Sequence, residues 1–516
     1  MRYYLPKYMK TVYVFALIAS CFPAFTLNAQ DNFHKVVGES QTYLNSINST
    51  VDSGFIAVGI TNDFGIWPDW DVYLVKLDKN GEIMWSKTYG DTLENQGKAV
   101  QQTSDGGYII TGYSNRTIAG DYDIHLIKTD SNGDLEWSKT YGGPLTQWGL
   151  DVKQTSDDGY IITGDYLFKV DETGNIEWDK AFGGTFYSVQ ETLDSGYVTV
   201  GNKLIGSTFD ILFVKTNGNG DTLWTRTYGG GDYEWGTSVS LTSDSGFIIA
   251  GYTISFGAGS QDVYLIRTDD LGHIIWSKTY GGSSSDRAYS VVQTVDGGFL
   301  VSGDTESFGA GNGDIYLIKT DLNGDVLWSK TIGGPSYEQG YQVEEIANDN
   351  IVIVGGFSSF GVGESSSIIK VGPDGVLECN QLSANTSVGL PSTIEGSGTS
   401  VSSGLITNNI NLSFISQITG DTLICSTVGM TESEKPSSIR VYPNPLTDIA
   451  IIEFESANAD KYILDLHSSK GQRVMHINNI IDGHVEIRRG NLASGLYFFQ
   501  LRTDGQIIAT GKMIIE

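Results

Sequence analysis

Residues 288–330 have the sequence AYSVVQTVDGGFLVSGDTESFGAGNGDIYLIKTDLNGDVLWSK. Four segments within it, AYSVVQT, GFLVSGD, DIYLIKTD and GDVLWSK, are rich in the β-branched and aromatic residues that favour strands. The turns VDGG and DLNG join the first pair and the last pair of segments, and their glycines accept the positive φ of tight hairpins. The stretch therefore predicts a small antiparallel sheet of four strands.

The four-strand unit recurs along the chain. Most copies end in a phrase such as GEIMW, GDLEW or GDVLW, in which the tryptophan occupies six equivalent positions: Trp85, Trp137, Trp178, Trp224, Trp276 and Trp328. Phe33 takes the tryptophan position at the start of the array and Cys379 takes it at the end. The 346 residues between them hold seven units of about 49 residues each.

Four short antiparallel strands repeated radially are the blades of a β-propeller. We therefore predict an all-β protein whose residues 31–379 form a seven-bladed propeller. Because the array starts and ends within a blade, pairing of its two ends would close the ring and protect the sheet edges.

The segment KVDETGNIEW at 169–178 resembles the tryptophan-docking motif of PQQ-type propellers, and the blades resemble repeat propellers of exported bacterial proteins. The resemblance covers about 350 residues and implies a structural role for the six recurring tryptophans. It does not imply a quinone cofactor, because the adjacent cysteine pair usual in quinoprotein dehydrogenase sites is missing. We predict no cofactor.

The alternating strand directions place two kinds of connection on opposite faces. One face carries the uniform turns within strand pairs 1–2 and 3–4. The other, here called the variable face, carries the loops between strands 2 and 3 and between blades. These loops differ in length and content, as NDFGIWPDW at 62–70 and SFGAGSQ at 255–261 illustrate. Variable loops on a rigid scaffold are a common place for a binding site.

Four further tryptophans do not repeat and are all predicted on the variable face: Trp67, Trp70, Trp148 and Trp235. Trp148 and Trp235 occupy equivalent positions, in the loops that enter the third and fifth blades. An exposed indole stacks well on a sugar ring or another flat apolar ligand. The alternative is that these side chains cover blade edges.

A polar column precedes the inner strands: Asn95, Gln147, Glu234, Asp286 and Glu338. We expect these groups to surround the channel mouth on the variable face. Glu234, Asp286 and Glu338 are candidates for ligand binding, for a cation, or for an acid/base pair. The alternative is hydrogen bonding to the loop backbone.

The DxNGD turns partly match a calcium-binding loop. Asp130, Asn132 and Asp134 fit its first three ligand positions, but the glycine at position six and the glutamate at position twelve are missing. We interpret them as hairpin turns, with calcium as the alternative. Two basic columns, which include Lys76 and Lys278, are interpreted as edge-strand guards or partners of turn aspartates.

Several function classes are disfavoured by the sequence. The net charge of −29 argues against nucleic acid as a partner. The motifs G-x-S-x-G, H-E-x-x-H and the P-loop are missing, and the six histidines show no metal-ligand spacing. A hydrolase that needs only two carboxylates is still compatible with the sequence.

Residues 1–30 resemble a secretory signal peptide, with Arg2, Lys7 and Lys10 before the apolar stretch VYVFALIASCFPAF. The stretch is short for a stable membrane span, so no integral membrane span is predicted. A lipoprotein box ending at Cys21 is the alternative. Two cysteines follow this segment, Cys379 and Cys425, and export to an oxidising compartment favours a disulfide between them over two free thiols.

Residues 380–438 are rich in Ser, Thr, Gly and Asn, and we predict a linker with one or two hairpins. Residues 439–516 alternate in the strand period, as a small Ig-like antiparallel sandwich would. They resemble the C-terminal sorting domain of type IX secretion cargo, with an ordinary Ig-like module as the alternative. The matching residues are Tyr442, Pro443, Asn444, Pro445, Gly495, Tyr497 and Lys512.

The sorting resemblance implies the type IX secretion machinery as a partner. It also implies passage through the periplasm to the outer-membrane surface or the outside. We predict a secreted or cell-surface module that adheres to a glycan or an extracellular protein without catalysis. The alternatives are an exported polysaccharide hydrolase using carboxylates of the polar column, and a structural surface protein.

Overall fold

The computed structural model describes residues 32–37, 41–62, 70–115, 121–359, 365–377, 381–383, 387–389, 394–396, 406–409, 413–417, 421–427, 440–442, 446, 449–454, 462–468, 473–480, 484–490, 492–503 and 506–515. The predicted signal peptide lies outside the described residues, as do Trp67, Cys379 and the segment Pro443–Pro445. Among the described residues, no helix has the length and apolar character needed to span a bilayer.

The structure confirms the predicted all-β propeller, with seven four-stranded sheets between residues 32 and 371. The first strand is β1 (Asn32–Val37). Blade 1 contains β2 (Thr42–Ser49), β3 (Phe55–Thr61), β4 (Asp71–Leu77) and β5 (Ile83–Gly90). Blade 2 contains β6 (Asn95–Gln102), β7 (Tyr108–Asn115), β8 (Tyr122–Thr129) and β9 (Leu135–Gly142). Blade 3 contains β10 (Gly149–Gln154), β11 (Tyr160–Gly164), β12 (Leu167–Val170) and β13 (Ile176–Lys180).

The remaining blades follow the same order from the inner to the outer strand. Blade 4 contains β14 (Thr185–Glu191), β15 (Tyr197–Ile205), β16 (Thr208–Thr216) and β17 (Thr222–Gly229). Blade 5 contains β18 (Glu234–Leu241), β19 (Phe247–Thr253), β20 (Asp262–Thr268) and β21 (Ile274–Gly281). Blade 6 contains β22 (Asp286–Gln293), β23 (Phe299–Thr305), β24 (Asp314–Thr320) and β25 (Val326–Ile332). Blade 7 contains β26 (Glu338–Glu345), β27 (Ile351–Phe357) and β28 (Ser365–Val371), with a 3-10 turn at Ala347–Asp349.

The two ends of the array meet in the seventh blade. Strand β1 pairs antiparallel with β28, so Phe33 lies opposite Lys370, and β1 completes the order β26-β27-β28-β1. This is the predicted closure. The apolar core lies between neighbouring blades: one cluster, for example, joins Ile248 and Leu265 of blade 5 to Val301 and Ile318 of blade 6. Each blade therefore buries its apolar faces only when both neighbours are present.

Among the described residues of 380–438, the predicted hairpins do not form. The described strands of this region pair with the blades: β29 (Gln381–Ser383), β30 (Ser387–Gly389), β31 (Ile394–Gly396), β32 (Ile406–Asn409), β33 (Ser413–Gln417) and β34 (Asp421–Thr427). They add antiparallel fifth strands to blades 6, 5, 4, 2, 1 and 7, in that order. We call β29–β34 the belt, because it passes around the outside of the ring.

The physical reason for the belt is the set of unpaired N–H and C=O groups on each outer strand. Each outer edge is an open template for strand addition, so a polar segment gains more hydrogen bonds there than in an isolated hairpin. Belt and propeller form one compact unit that ends at Gly429, and the second unit begins at Met430, nine residues before the predicted boundary. Within the belt, Cys425 lies opposite His34 of β1. The disulfide with Cys379 stays a prediction.

The second unit contains two sheets. One is formed by β35 (Arg440–Tyr442), β36 (Ile449–Glu453) and β39 (His484–Arg488), and the other by β37 (Tyr462–Ser468), β38 (Arg473–Ile480), β40 (Gly495–Thr503) and β41 (Gln506–Ile515). Ile452 and Val485 of the first sheet share a buried cluster with Leu464 and Phe499 of the second. The two sheets therefore pack as a small sandwich.

Candidate functional site

Each inner strand carries one β-bulge at the same position. The bulged residues are Asn45, Lys98, Leu150, Tyr187, Thr237, Tyr289 and Tyr341. A bulge leaves one residue out of the strand ladder and redirects its side chain. All seven line the central channel, which has a volume of about 350 Å³.

The wall of the channel is held by hydrogen bonds that pass from blade to blade. In six of the seven blades, the side chain of the residue after the bulge accepts a backbone N–H from the next inner strand; the exception is Ala99, which has no acceptor. For example, the Asp151 carboxylate accepts Val189 N at 3.0 Å, and the Ser188 hydroxyl accepts Val239 N at 3.3 Å. The same kind of bond joins the last blade to the first. Gln342 closes the circle by accepting from Ile47 N at 3.1 Å. These bonds make the channel wall a pre-organised surface.

A pocket opens at the channel mouth on the variable face. It has a volume of about 300 Å³ and is lined by Lys98, Leu150, Tyr187, Trp235, Thr237, Tyr252 and Tyr289, a set that we call the mouth pocket. Its residues come from the inner strands of blades 2 to 6, with Tyr252 from β19. Four of the seven side chains are aromatic, so the pocket offers large apolar surfaces with hydroxyl groups at their edges.

Trp235 is the predicted candidate that the fold brings into this pocket. Its ring lies 5.1 Å from Tyr252 and 5.6 Å from Tyr233, with interplanar angles of 17° in both cases. Phe209 packs 5.9 Å away. Offset stacking of this kind stabilises the rings and restricts the indole to one orientation. Burial raises the pKa of Tyr252 to about 12.

Trp70 and Trp148 lie outside the mouth pocket, and Trp67 lies outside the described residues. Trp148 is 43% exposed, packs 6.2 Å from Tyr113, and has its backbone N–H bonded to Asp165 at 3.1 Å. Trp70 packs 5.5 Å from Tyr43. The described structure therefore does not bring the predicted tryptophans into one cluster.

The expectation that the polar column surrounds the channel mouth is wrong. Glu234, Asp286 and Glu338 are fully buried. Glu234 accepts Gly230 N at 2.8 Å and the Thr253 hydroxyl at 2.7 Å. These carboxylates hold the inter-blade loops together, because each inner strand turns at this point and leaves loop N–H groups without a strand partner.

Asp286 and Glu338 repeat the pattern. Asp286 accepts Gly282 N at 2.8 Å and the Ser307 hydroxyl at 2.6 Å, and burial raises the pKa of Asp286. Glu338 accepts Gly334 N at 2.8 Å and Ser359 N at 2.9 Å. The alternative of backbone hydrogen bonding thus describes all three carboxylates.

Sequence reasoning missed a buried polar network beside the mouth pocket. Arg287 contacts the Asp304 carboxylate at 3.3 Å, and the Tyr337 hydroxyl donates to the same carboxylate at 2.9 Å. Burial raises the pKa of Asp304, whose side chain is fully buried. A signal was available, since Arg287 occupies the position equivalent to Trp148 and Trp235.

The bulged residues were also missed, although the sequence contained a marker for them. In four blades a glycine precedes the bulge, as Gly236 precedes Thr237. A Cβ on Gly236 would lie 2.8 Å from Ile211 of the preceding blade, so the glycine is needed for close approach. The residue after this glycine faces the channel.

The turn aspartates and the basic columns have structural roles. The Asp130 carboxylate accepts Asn132 N and Asp134 N at 2.8 Å each, as expected for a hairpin turn. The described residues contain no group of three or more histidine, cysteine or acidic side chains arranged to hold a metal. Lys76 pairs with Asp52 at 2.8 Å, and Lys278 pairs with Asp325 of the next blade at 2.7 Å.

The predicted sorting residues lie in the second unit. Tyr442 is in β35 and Lys512 is in β41, where it pairs with Phe498. Gly495 begins β40, and the Tyr497 hydroxyl donates to Ala493 O at 2.8 Å. Residues 440–516 match the family described as secretion system C-terminal sorting domain. The protein is therefore exported to the cell surface or the outside, as predicted.

Solved structures show similarity to this chain at low sequence identity. BamB from Moraxella catarrhalis is 13% identical, with 63% of this chain and 85% of that chain covered and a TM-score of 0.33. A protein of unknown function from Bacteroides caccae is 13% identical, with 54% and 93% covered and a TM-score of 0.33. Sqt1 from Chaetomium thermophilum is 12% identical, with 69% and 90% covered and a TM-score of 0.39.

No curated protein matches the chain. The repeats themselves, however, match a family over more than half of the sequence, from residue 70 to residue 355. The matched range runs from the end of the first variable loop into the seventh blade, so it includes the six docking tryptophans and six of the seven inner strands that form the channel. The chain belongs to the family described as outer membrane protein assembly factor BamB.

Proposed function

We propose that the protein is an exported, non-catalytic propeller that binds a glycan at the mouth of its central channel. The observation that carries this proposal is the mouth pocket, in which Trp235 stacks on Tyr252 beside Tyr187 and Tyr289. Flat aromatic surfaces bind the apolar faces of sugar rings, and tyrosine and threonine hydroxyls bond to sugar hydroxyls.

The site is rigid, and this rigidity favours ligand binding. The indole of Trp235 is held between aromatic neighbours, and the inner strands are tied from blade to blade. A pre-organised pocket loses little conformational entropy when a ligand binds, so a modest contact area still gives useful affinity.

The position of the buried carboxylates argues against the hydrolase alternative. Glu234, Asp286 and Glu338 are engaged in loop hydrogen bonds, and none of them lines the mouth pocket. General acid or base catalysis needs a carboxyl group within hydrogen-bond reach of the substrate.

The family description suggests a protein ligand as a second possibility, since it names an outer membrane protein assembly factor. The sorting domain directs this chain to the surface or the outside. We therefore favour a glycan over an extracellular protein as the ligand, because the small concave mouth pocket suits a sugar unit better than the broad face of a protein.

The test is a binding titration of the exported protein against a panel of polysaccharides and extracellular matrix proteins. We expect a glycan to bind without turnover, and Trp235→Ala to weaken binding at least tenfold. The matched control is Leu193→Ala, which removes an exposed apolar side chain from the opposite face. Turnover would favour the hydrolase, and failure of every glycan to bind would overturn the proposal.

A further inference from the structure

Lys98 is the cation of the mouth pocket. It is the bulged residue of β6 and lines both the pocket and the channel below it. Its Nζ lies 5.4 Å from the centre of the Tyr113 ring, and it forms no hydrogen bond or ion pair with any of the described residues. Burial lowers the pKa of Lys98, and the negative charge of Glu94 opposes this shift only in part.

Other basic groups near the channel have partners. Lys153, which also lines the channel, pairs with Asp151 at 2.9 Å. Arg287 contacts Asp304 at 3.3 Å. The recurring lysines of the outer strands likewise meet turn aspartates, as Lys319 meets Asp296 at 2.8 Å. Lys98 therefore differs from them in having its ammonium group available to a ligand.

The acidic group that acts electrostatically on Lys98 forms its hydrogen bonds with other residues. Glu94 exerts a charge interaction on Lys98, but its carboxylate accepts hydrogen bonds from the Tyr122 hydroxyl at 2.7 Å and from Gln96. The seven residues of the mouth pocket contain one lysine and no carboxylate. In a protein of net charge −29, this pocket combines a positive charge with aromatic surfaces.

We propose that the glycan bound at the mouth pocket carries an acidic sugar unit, and that Lys98 binds its anionic group while Trp235 stacks on a sugar ring. This proposal rests on the proposed function and specifies its ligand class. Lys98 is partly buried, and an ammonium group in that position without an ion-pair partner gains from pairing with an anion of the ligand. A neutral sugar would leave the ammonium group unpaired.

The anionic group has two chemical sources, a uronic acid carboxylate or a sulfate ester. Lysine acts as a point charge and does not select between their geometries. The experiment therefore uses three short ligands of matched length: galacturonate oligomers, their methyl esters, and sulfated galactose oligomers. Each ligand is titrated against the full exported chain and its variants at low salt.

We expect the native protein to bind galacturonate or sulfated oligomers at least tenfold more tightly than the methyl esters. Lys98→Met should remove this preference, so that acidic oligomers bind the variant no more tightly than the methyl esters do. Trp235→Ala should weaken binding of every oligomer. Lys153→Met, which removes a paired lysine from the same channel, should keep the preference for acidic oligomers.

A folding readout accompanies the titrations. Because Lys98 has no hydrogen bond or ion pair to lose among the described residues, Lys98→Met should leave the urea unfolding midpoint unchanged or raise it. Equal affinity for acidic and neutral oligomers would overturn this inference and leave the proposed function standing, provided that Trp235→Ala still weakens binding at least tenfold. Retention of the acid preference in Lys98→Met would also overturn it. Absence of binding by all three ligands would overturn this inference, and the broader panel would still decide the proposed function.

Discussion

Gly324 of blade 6 lies directly against the indole of Trp276 in blade 5. A Cβ on Gly324 would come within 2.8 Å of Trp276, and Gly324 O accepts the Tyr280 hydroxyl at 2.7 Å. The same contact recurs between a ring and a turn glycine at the other blade interfaces: Phe33 with Gly81, Trp85 with Gly133, Trp137 with Gly174, Trp178 with Gly220, Trp224 with Gly272 and Trp328 with Gly375. The recurring aromatic position thus joins each blade to the next.

Gly324→Ala should lower the free energy of unfolding by about 2–4 kcal/mol. Steric overlap with Trp276 contributes about 1–3 kcal/mol, and the positive φ of 77° adds about 1 kcal/mol. Urea unfolding followed by tryptophan fluorescence measures the change. Gly297→Ala is the matched control, because Gly297 has a φ of 85° and nothing within 4 Å of its added Cβ. Equal losses in the two variants would contradict a docking role for the glycine.

The belt should protect the outer strands that it covers. Hydrogen–deuterium exchange read by mass spectrometry should be slower in β21 and β25, which pair with belt strands, than in β13 of blade 3. Among the described residues β13 has a partner on its inner side only. Equal protection of β13 would mean that a stretch outside the described residues covers this edge.

Acid should destabilise the propeller before most carboxylates titrate. Burial lowers the pKa of His125 to about 3 and that of His34 to about 4, whereas both have a pKa near 6.5 when unfolded. The unfolded chain therefore binds more protons between pH 6.5 and 4, and stability falls as the pH falls. Each histidine should remove about 2 kcal/mol at pH 5, from roughly 1.4 kcal/mol per pH unit.

The histidine effect is isolated by comparison with His125→Gln, which can keep a bond to the Ser138 hydroxyl, now 2.8 Å from His125. Burial raises the pKa of Asp286 and Asp304, which opposes the loss in both proteins. Urea titrations at pH 7 and pH 5 should show a drop about 2 kcal/mol smaller in the variant. An identical drop would show that His125 does not stay neutral in the folded state.

Glu338→Ala should reduce stability by about 2–3 kcal/mol, because Gly334 N and Ser359 N would lose their acceptor in a buried loop. Glycan affinity should change less than twofold, since Glu338 does not line the mouth pocket. Thermal unfolding and the titration described above give the two readouts. Loss of glycan binding without loss of stability would contradict this prediction and would indicate that Glu338 binds the ligand.

Predictability from the sequence differed between parts of the site. Trp235 could be identified because it breaks a repeat in which the docking tryptophans recur. Lys98 could not, since it occupies a column shared by asparagine, leucine, threonine and tyrosine and shows no pattern of its own. The sequence indicated Glu234 as a ligand-binding candidate, but in the structure the Glu234 carboxylate accepts a hydrogen bond from Gly230 N at 2.8 Å.

The sequence by itself determined the period of the repeat, the seven blades, the docking position of Trp276 and its equivalents, and the sorting domain. These features depend on spacing and local turn chemistry, which a one-dimensional pattern contains. Only the tertiary structure decided which side chains face the channel, because a bulge redirects Lys98 and Tyr289 out of the strand alternation. It also decided the belt, because the partners of those strands are outer edges that exist only after the blades have formed.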